Sequence, residues 1–250
     1  MPEPREVVEH LEREAHLPTG DAERFAGYGV MGLPFASGHI LALRRFPASS
    51  VGPGYASVWH RSPQGRWTIY TSVPPLQACP RYFGNETAVA EAADIRINWA
   101  GPRSFAVTIP GGRLQWDVTL AATLATQAMN AMGRSMPDAL WQSRPVLSLM
   151  AAVAGPLLGA GRLSLHGLAP NRQWFIANPR LIWSIPATRA IWHGQDLGLI
   201  GPVPDQGRLG DFWIPQRGLF AVGESFFEPF DPARHLAVAT QAASETPVAR

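Results

Sequence analysis

Residues 55–73, YASVWHRSPQGRWTIYTSV, alternate strictly between two sets of side chains, and this pattern constrains the fold more than any other stretch. Successive side chains of a strand point to opposite faces, so the alternation predicts two β-strands. The turn between them is Ser62-Pro63-Gln64-Gly65, in which Pro63 fixes φ and Gly65 accepts a left-handed conformation. A hairpin with this turn pairs Arg61 with Trp67, Trp59 with Ile69, His60 with Thr68 and Val58 with Tyr70.

The two faces of this hairpin differ in chemistry. Trp59, Trp67 and Ile69 make one face aromatic and apolar, as in a protein core. The other face carries His60 and Tyr70, whose side chains can donate, accept or transfer protons. This second face lines an interior if the hairpin belongs to a barrel, and it faces solvent if the first face alone packs into the core.

The composition indicates a globular protein with a rather uncharged surface. Hydrophobic residues make up 46% of the 250 residues and charged residues 16%, against about 25% in an average protein. The 24 glycines and 24 prolines predict many turns and few long helices. The length allows one large domain or two small ones, with a sizeable core in either case.

All 21 basic residues are arginine, and the absence of lysine excludes several function classes. Schiff-base catalysis, a pyridoxal phosphate site and a Walker-type phosphate loop all require a lysine amine. The arginines are dispersed apart from Arg44-Arg45 and the net charge is only +2, so nucleic acid is not an expected partner. No cofactor motif is present, and we expect no cofactor.

Cys79 is the only cysteine, which excludes an intramolecular disulfide and a multi-cysteine metal site. The N-terminal segment lacks the apolar run of a signal peptide. The longest apolar stretch, residues 145–161, is shorter than the about 20 residues that span a bilayer. We therefore expect a cytoplasmic protein without a transmembrane segment.

Hydrophobic periodicity predicts a mainly β (α+β) fold. Residues 3–16 have the apolar stripe of a surface helix. Besides the hairpin, the predicted strands are Tyr28–Met31, His39–Phe46, a meander of Ile95–Trp99, Ser104–Ile109 and Arg113–Leu120, and then Arg162–His166, Trp174–Ala177 and Leu181–Ile185. The predicted helical segments are a turn at Glu86–Ala93 and two largely buried helices at Leu120–Gly133 and Pro145–Leu158.

These elements predict one antiparallel sheet, either a β-barrel or a wrapped sheet, with a helical insert at about 121–160. We expect an N-terminal helix within residues 1–20 and a single β-rich domain at 21–238. The small and polar residues 239–250 predict a disordered tail.

Gly27–Gly32 matches the dinucleotide-binding pattern G-x-G-x-x-G, but its context contradicts that function. No strand precedes the motif, Pro34 prevents a helix after it, and no acidic residue follows at the required distance. The glycines more simply allow a strand to bend or to approach another backbone closely.

Acid–base groups are the best candidates for catalysis. Asp117 lies in mid-strand, and on the lumen face of a barrel it would be desolvated and suited to proton transfer. On an open sheet the same face meets solvent and gives Asp117 no special role. The candidate catalytic residues are therefore His60, Asp117 and Tyr70. The candidate ligand-contacting residues are Trp59, His39, Trp116, Arg81 and Tyr82.

No metal site is predicted. His39, His60, His166 and His193 come from separate segments and could converge, but no ligand-spacing motif accompanies them. Cys79 has an aromatic neighbourhood that favours a buried structural thiol, while the nearby Arg81 leaves a reactive or ligand-contacting thiol open.

Three segments bear on a family resemblance: Trp116-Asp117-Val118-Thr119-Leu120, Arg162–Gly167 and Trp192–Gly198. The first two are similar to a Leu-Asp-Leu-x-Leu strand and a G-x-L-x-x-x-G strand of the carotenoid-hydratase group. The third differs from that group's Asp-His-x-Trp-Gly segment, because Trp192 and His193 here precede Asp196. The resemblance covers less than half of the chain. It implies a lipocalin-like (calycin) barrel for isoprenoid or polyketide-like ligands, as in secondary metabolism.

Three functions are compatible with these features. The first is a cofactor-independent lyase or isomerase that hydrates, isomerises or cyclises a hydrophobic small molecule. The second is a non-catalytic carrier with the same pocket. The third is a structural protein without a pocket, whose tryptophan-rich surface forms a homodimer. A cavity shared by His60 and Asp117 would favour the enzyme, and a pocket lined only by apolar groups would favour the carrier.

Overall fold

The computed structural model describes residues 2–238. Four α-helices lie in this range: α1 (Pro4–Arg13), α2 (Pro80–Phe83), α3 (Leu124–Ser135) and α4 (Arg144–Leu158). Single 3-10 turns cover Pro75–Gln77, Gly84–Glu86 and Asp138–Gln142. The strands are β1 (Glu23–Pro34), β2 (Ile40–Ser49), β3 (Tyr55–Arg61), β4 (Trp67–Thr71), β5 (Val89–Ala92), β6 (Arg96–Gly101), β7 (Ser104–Ile109), β8 (Leu114–Ala121), β9 (His166–Leu168), β10 (Trp174–Trp192), β11 (Gln195–Asp196), β12 (Arg208–Leu209), β13 (Phe212–Trp213) and β14 (Leu219–Phe227).

Twelve of these strands form one large sheet in the order β5-β4-β3-β2-β1-β14-β10-β8-β7-β6, with the short β9 and β11 also paired to β10. Neighbours are antiparallel except for β4 and β5, which are parallel. Within residues 2–238 the edge strands β5 and β6 do not pair with each other, so the sheet is wrapped and not a closed barrel. The prediction of a mainly β, wrapped-sheet fold with an N-terminal helix and a helical insert is confirmed.

The sheet curls so strongly that distant strands meet across its inner face. Trp99 of β6 lies against Phe220 of β14 with 6.2 Å between ring centroids, although β7, β8 and β10 separate the two strands. Four strand spacings in a flat sheet would place them about 19 Å apart. The inner-face side chains therefore form one continuous core, which includes Val30, Leu43, Val58, Phe105, Trp116 and Trp183.

Helices cover both faces of the sheet. On the inner side, α1 adds Val8 to the core, and Glu12 in its last turn accepts a hydrogen bond of 2.9 Å from the Tyr28 hydroxyl. The outer face is covered near β1–β4 by α2 and an aromatic cluster, and near β10 and β14 by α3 and α4. In the second region Ala154 and Leu158 of α4 pack against the outer-face side chains of β10 and β14.

The structure has the strand pairs that the alternation of residues 55–73 predicts. Arg61 pairs with Trp67, Trp59 with Ile69, His60 with Thr68 and Val58 with Tyr70. The three-stranded meander is also present as β6, β7 and β8. The two predicted buried helices correspond to α3 and α4, each shifted by no more than a turn at its ends.

Three predicted elements are different in the structure. Glu86–Ala93 is not a helical turn, because Val89–Ala92 pairs in parallel with β4 and so gains a ladder that local sequence does not reveal. Trp174–Ala177 and Leu181–Ile185 are parts of the single long strand β10, which continues through a bulge between Pro179 and Leu181. The strand expected at Arg162–His166 begins only at His166.

The glycine-rich stretch of β1 allows close backbone contact. A Cβ atom on Gly29 would lie 2.0 Å from the Leu43 carbonyl oxygen of the neighbouring strand. The stretch lies within β1, which pairs with β2 and β14, so it does not open a helix. The structure thus supports a packing role for the motif.

None of the helices in the described range has the length and apolar character needed to cross a bilayer. The predicted tail at 239–250 lies outside the described residues. The domain boundaries at 20 and 238 stay predictions.

Candidate functional site

Three of the predicted site residues meet on the inner face, at one end of the curled sheet. His39 Nδ1 lies 2.8 Å from His60 Nε2, and the two rings are stacked with centroids 5.1 Å apart. The Tyr70 hydroxyl lies 3.4 Å from Nε2 of His193, and the Trp192 ring covers His60 at 4.1 Å. These residues converge because β2, β3 and β4 are neighbours and the curl brings the end of β10 over them.

Burial favours the neutral forms of His39, His60 and Tyr70. Burial lowers the pKa of His60 to about 3, and the nearby His39 and His193 act in the same direction. Burial also lowers the pKa of His39 and raises that of the Tyr70 hydroxyl. His60 therefore does not titrate near neutrality as its ordinary pKa of about 6.5 predicts. A catalytic role for His60 or Tyr70 stays a prediction.

No group of three or more histidine, cysteine, aspartate or glutamate side chains within residues 2–238 has the geometry to hold a metal ion. His39, His60 and His193 thus form an imidazole cluster in which His39 and His60 are buried and His193 is exposed.

Asp117 does not join this cluster. Side chains of β8 alternate, so Trp116 and Val118 are buried while Asp117 is exposed on the opposite face. The lumen position proposed for Asp117 is therefore wrong, and it shares no cavity with His60. Trp116 is 1% exposed in the inner core, where its Nε1–H donates to Thr188 Oγ1 at 2.9 Å. This buried position is a structural one and gives Trp116 no access to a ligand from solvent.

Arg81 and Tyr82 are both bound to Glu23. Arg81 Nη2 lies 2.7 Å from Glu23 Oε1, and the Tyr82 hydroxyl donates to Glu23 Oε2 at 2.7 Å. Burial raises the pKa of Glu23, but hydrogen bonds from Arg81, Tyr82 and Gln173 outweigh burial and bring it below its ordinary value. The network connects α2 to β1. In it, the polar groups of Arg81 and Tyr82 bind a side chain of the protein itself.

A cavity of about 140 Å³ lies between the outer face of the sheet and the helical insert; we call it the main cavity for its position on the sheet, although a more open pocket beside α4 has a larger volume of about 360 Å³. Strands β1, β2, β10 and β14 form its floor, and α3 and α4 form its roof. Its lining is mostly apolar and contains several methionines, which adapt to irregular ligands. The apolar lining includes Met31, Phe46, Met129, Met150, Ala154 and Ile182.

Arg44 of β2 is the one positively charged residue among those that line the main cavity. Its guanidinium donates to the carbonyl oxygens of Val30 and Leu43 at 2.5 and 2.9 Å, and to that of Met31 at 3.1 Å. The Arg44 side chain also lies over the rings of Trp59 and Phe212, with its Cζ 5.0 and 5.5 Å from the ring centroids. Burial lowers the pKa of Arg44 to about 10, so the group is still a cation at pH 7.

A smaller cavity of about 40 Å³ lies on the other side of Arg44. Two of the predicted ligand-contacting residues, Trp59 and Tyr82, line it, together with Cys79. Burial raises the pKa of the Cys79 thiol, which accepts a hydrogen bond of 3.4 Å from the Ser57 hydroxyl. This environment suits a structural thiol.

The sequence contains one signal for the buried position of Arg44. Ile40, Ala42 and Phe46 lie on the same face of β2 as Arg44, since positions two apart share a face. An arginine within an otherwise apolar face is a candidate for a buried charge. The roof residues Met129 and Met150 carried no comparable signal, because their role depends on how the insert packs on the sheet.

No protein-family model matches this sequence, and a comparison with curated proteins finds no match. Among solved structures, acetoacetate decarboxylase from Legionella pneumophila is similar over 90% of each chain, with 10% identity and a TM-score of 0.39. A second structure, described as a structural study of acetoacetate decarboxylase, is similar over 88% of this chain and 90% of that one, with 10% identity and a TM-score of 0.40. At these values neither structure indicates what this chain binds or converts. Neither is a carotenoid hydratase, so that resemblance gains no support.

Proposed function

We propose that this protein binds a hydrophobic small molecule reversibly in the main cavity. The observation that carries the proposal is a partly open, mostly apolar-lined space between the sheet and the insert. Apolar cavities of about 150 Å³ in proteins stay dry and bind molecules of benzene size. The volume of the main cavity is about 140 Å³, so a single aromatic ring or a short branched chain is the expected size of the enclosed part of the ligand.

A carrier explains the position of the titratable residues better than an enzyme does. His60, Tyr70 and Asp117 do not line the main cavity, and His60 and Asp117 do not share a cavity. The presence of the cavity favours a ligand-binding protein over a structural homodimer without a pocket.

The second candidate function is cofactor-free proton transfer, as in a lyase or isomerase. One observation favours it: Glu224 is the only carboxylate that lines the main cavity within residues 2–238. Its carboxylate lies 3.2 Å from Arg180 Nη2, so a proton acceptor is held at one end of the ligand space. Glu224→Gln keeps the shape and removes the acceptor. Full turnover of an identified substrate by this variant would exclude Glu224 as the base.

The binding proposal can be tested with toluene and two matched variants of α4. Ala154 faces the main cavity, whereas the next residue, Val153, is 51% exposed. Ala154→Phe fills the cavity, and Val153→Phe adds an aromatic ring to the same helix on its solvent side. We expect the wild type and Val153→Phe to bind toluene. Binding is measured by calorimetry and by NMR shifts of the cavity methionines.

Ala154→Phe should bind toluene at least about tenfold more weakly, because the added ring takes the ligand space. Equal affinity for toluene in the two variants would show that the main cavity is not the binding site. Mass spectrometry of small molecules that co-purify with the wild type would then identify the natural ligand, and native mass spectrometry would show whether the protein forms a homodimer.

A further inference from the structure

We infer that the ligand of the main cavity is a small monocarboxylate, whose anionic group pairs with Arg44 while its apolar body lies under α3 and α4. The inference rests on the proposed function, because it requires that the main cavity bind a small molecule. It adds the chemical class of that molecule and the residue that selects it.

Arg44 is the only arginine buried in the described part of the chain, with 5% of its surface exposed. Three of the five N–H donors of its guanidinium bond to the carbonyl oxygens of Val30, Leu43 and Met31. No carboxylate within residues 2–238 forms an ion pair with Arg44, whereas Arg45, Arg81 and Arg180 are paired with Glu12, Glu23 and Glu224. Two donors and the full positive charge are therefore left for another partner.

The environment of Arg44 only partly compensates its charge. Burial of a cation without a counter-ion is unfavourable, and carbonyl oxygens carry only partial negative charge. The aromatic rings of Trp59 and Phe212 add cation–π attraction to the planar guanidinium. A carboxylate would supply the missing charge and could accept two parallel hydrogen bonds from the guanidinium fork.

The surroundings indicate a ligand with one negative charge. Arg44 is the single cation among the residues that line the main cavity, and Glu224 lies in the same lining. A second anionic group on the ligand would meet no further cation among the lining residues, because the neighbouring Arg180 is already paired with Glu224. Apart from a few uncharged polar side chains such as Asn178, the rest of the lining is apolar, so the remainder of the ligand is mainly a small hydrocarbon or aryl body.

Arg44 also lies where the main cavity and the smaller cavity meet. A carboxylate at this junction can bind the guanidinium from the main cavity without displacing the aromatic cluster around Trp59. Because the smaller cavity is only about 40 Å³, it has room for little more than water beside the carboxylate. The apolar body must therefore extend into the main cavity.

The test compares benzoate with nitrobenzene, which has nearly the same shape and no net charge. Both are titrated by calorimetry into wild type, Arg44→Gln and Arg44→Lys at pH 7.5. We expect the wild type to bind benzoate about 10- to 100-fold more tightly than nitrobenzene, the range for a hydrogen bond to a charged group. Arg44→Lys should keep part of this preference, and Arg44→Gln should lose it while its affinity for nitrobenzene changes less than about threefold.

Two results would overturn the inference and are distinguishable from each other. If wild type binds nitrobenzene as tightly as benzoate, the cavity binds apolar molecules and Arg44 is a structural residue that holds the β1 carbonyls. If neither compound binds, the proposed function itself fails. Should Arg44→Gln not fold, the wild type and Arg44→Lys still decide, because a purely structural arginine predicts no benzoate preference in either protein.

Discussion

His60 of β3 and Trp192 of β10 are stacked with ring centroids 4.1 Å apart, although β2, β1 and β14 lie between their strands in the sheet. The curl of the sheet thus encloses an imidazole that stays neutral in the folded protein, where its pKa is lowered to about 3. Unfolding returns His60 to water and to a pKa of about 6.5. The unfolded chain therefore binds one more proton than the folded protein between these two pH values.

Stability should consequently fall as the pH is lowered from 6.5 towards 4.5. Because the pKa of His60 is lower in the folded protein than in the unfolded chain, its contribution to the free energy of unfolding is fully present above pH 6.5. Below that pH the contribution is lost at about 1.4 kcal/mol per pH unit. His60→Gln removes this dependence. Urea unfolding over pH 4.5–7.5 should therefore show that, below pH 6.5, the free energy of unfolding of this variant falls by about 1.4 kcal/mol per pH unit less than that of the wild type. His16→Gln, at an exposed histidine, is the control and should keep the wild-type slope. Equal slopes in all three proteins would contradict the neutral, buried state of His60.

Loss of the Glu23 carboxylate should destabilise the junction between α2 and β1. Glu23→Gln leaves Arg81 without its counter-ion and weakens the bond from Tyr82, so we expect a loss of about 2 kcal/mol in the free energy of unfolding at pH 7. Glu9→Gln breaks the exposed pair between Arg5 and Glu9 and should cost less than about 0.5 kcal/mol. Urea unfolding of the two variants checks this, and similar losses would show that the Glu23 network adds little.

Replacing Asn178 with leucine should stabilise the protein. Asn178 is fully buried, and neither its amide nitrogen nor its amide oxygen has a hydrogen-bond partner in residues 2–238. Since an unsatisfied buried polar group costs about 1–3 kcal/mol, Asn178→Leu should raise the free energy of unfolding by about 1 kcal/mol.

Asn171 provides the comparison for Asn178. It is equally buried, but its side chain donates to the Arg81 carbonyl at 3.1 Å and to Gln173 Oε1 at 2.6 Å. Asn171→Leu should therefore destabilise by about 3 kcal/mol, because it leaves these partners unsatisfied. Thermal unfolding of both variants gives the sign of each change in stability. If Asn178→Leu is less stable than the wild type, a water molecule or a ligand group is bound to the Asn178 amide.

A side chain at Gly29 should not be tolerated. Its Cβ would lie 2.0 Å from the Leu43 carbonyl oxygen, and both atoms belong to paired strands that cannot separate locally. We expect Gly29→Ala to lower the free energy of unfolding by about 3 kcal/mol or more. At Gly52 the nearest atom is Cβ of the Gln77 side chain at 3.1 Å, which can shift, so Gly52→Ala should cost less than about 1 kcal/mol. Urea unfolding that ranks the two variants the other way would refute this packing role for Gly29.

The local pattern was sufficient for elements whose pairing is set by nearby residues. The hairpin register around Trp59 and Ile69 follows from alternation and one turn, because a slip by one residue would move every apolar side chain to the other face. The strand at Val89–Ala92 could not be predicted in this way. Its partner β4 is reached through a long connection, and its half-exposed residues show no clear period.

The candidate site was only partly predictable for the same reason. Trp59 and Tyr82 do line the smaller cavity, but the Arg44-Arg45 pair by itself does not indicate that Arg44 lines the main cavity. Asp117 was ambiguous because β8 alternates equally well in a barrel and in an open sheet, and only the three-dimensional fold shows which face meets solvent. The main cavity itself depends on the distance between the insert and the sheet, which no local pattern contains.

The roof of the main cavity is an insertion between two strands that are neighbours in the sheet. β8 ends at Ala121 and β10 begins at Trp174, while the ladder between them involves only Ser184–Trp192 on the β10 side. Lengthening such a connection costs little, about 0.6 kcal/mol for each doubling. The intervening helices can therefore be exchanged, by evolution or by grafting, on an unchanged scaffold. Arg44 would stay on that scaffold, so a family of receptors built this way would keep one anchoring charge and vary in the shape of molecule it accepts.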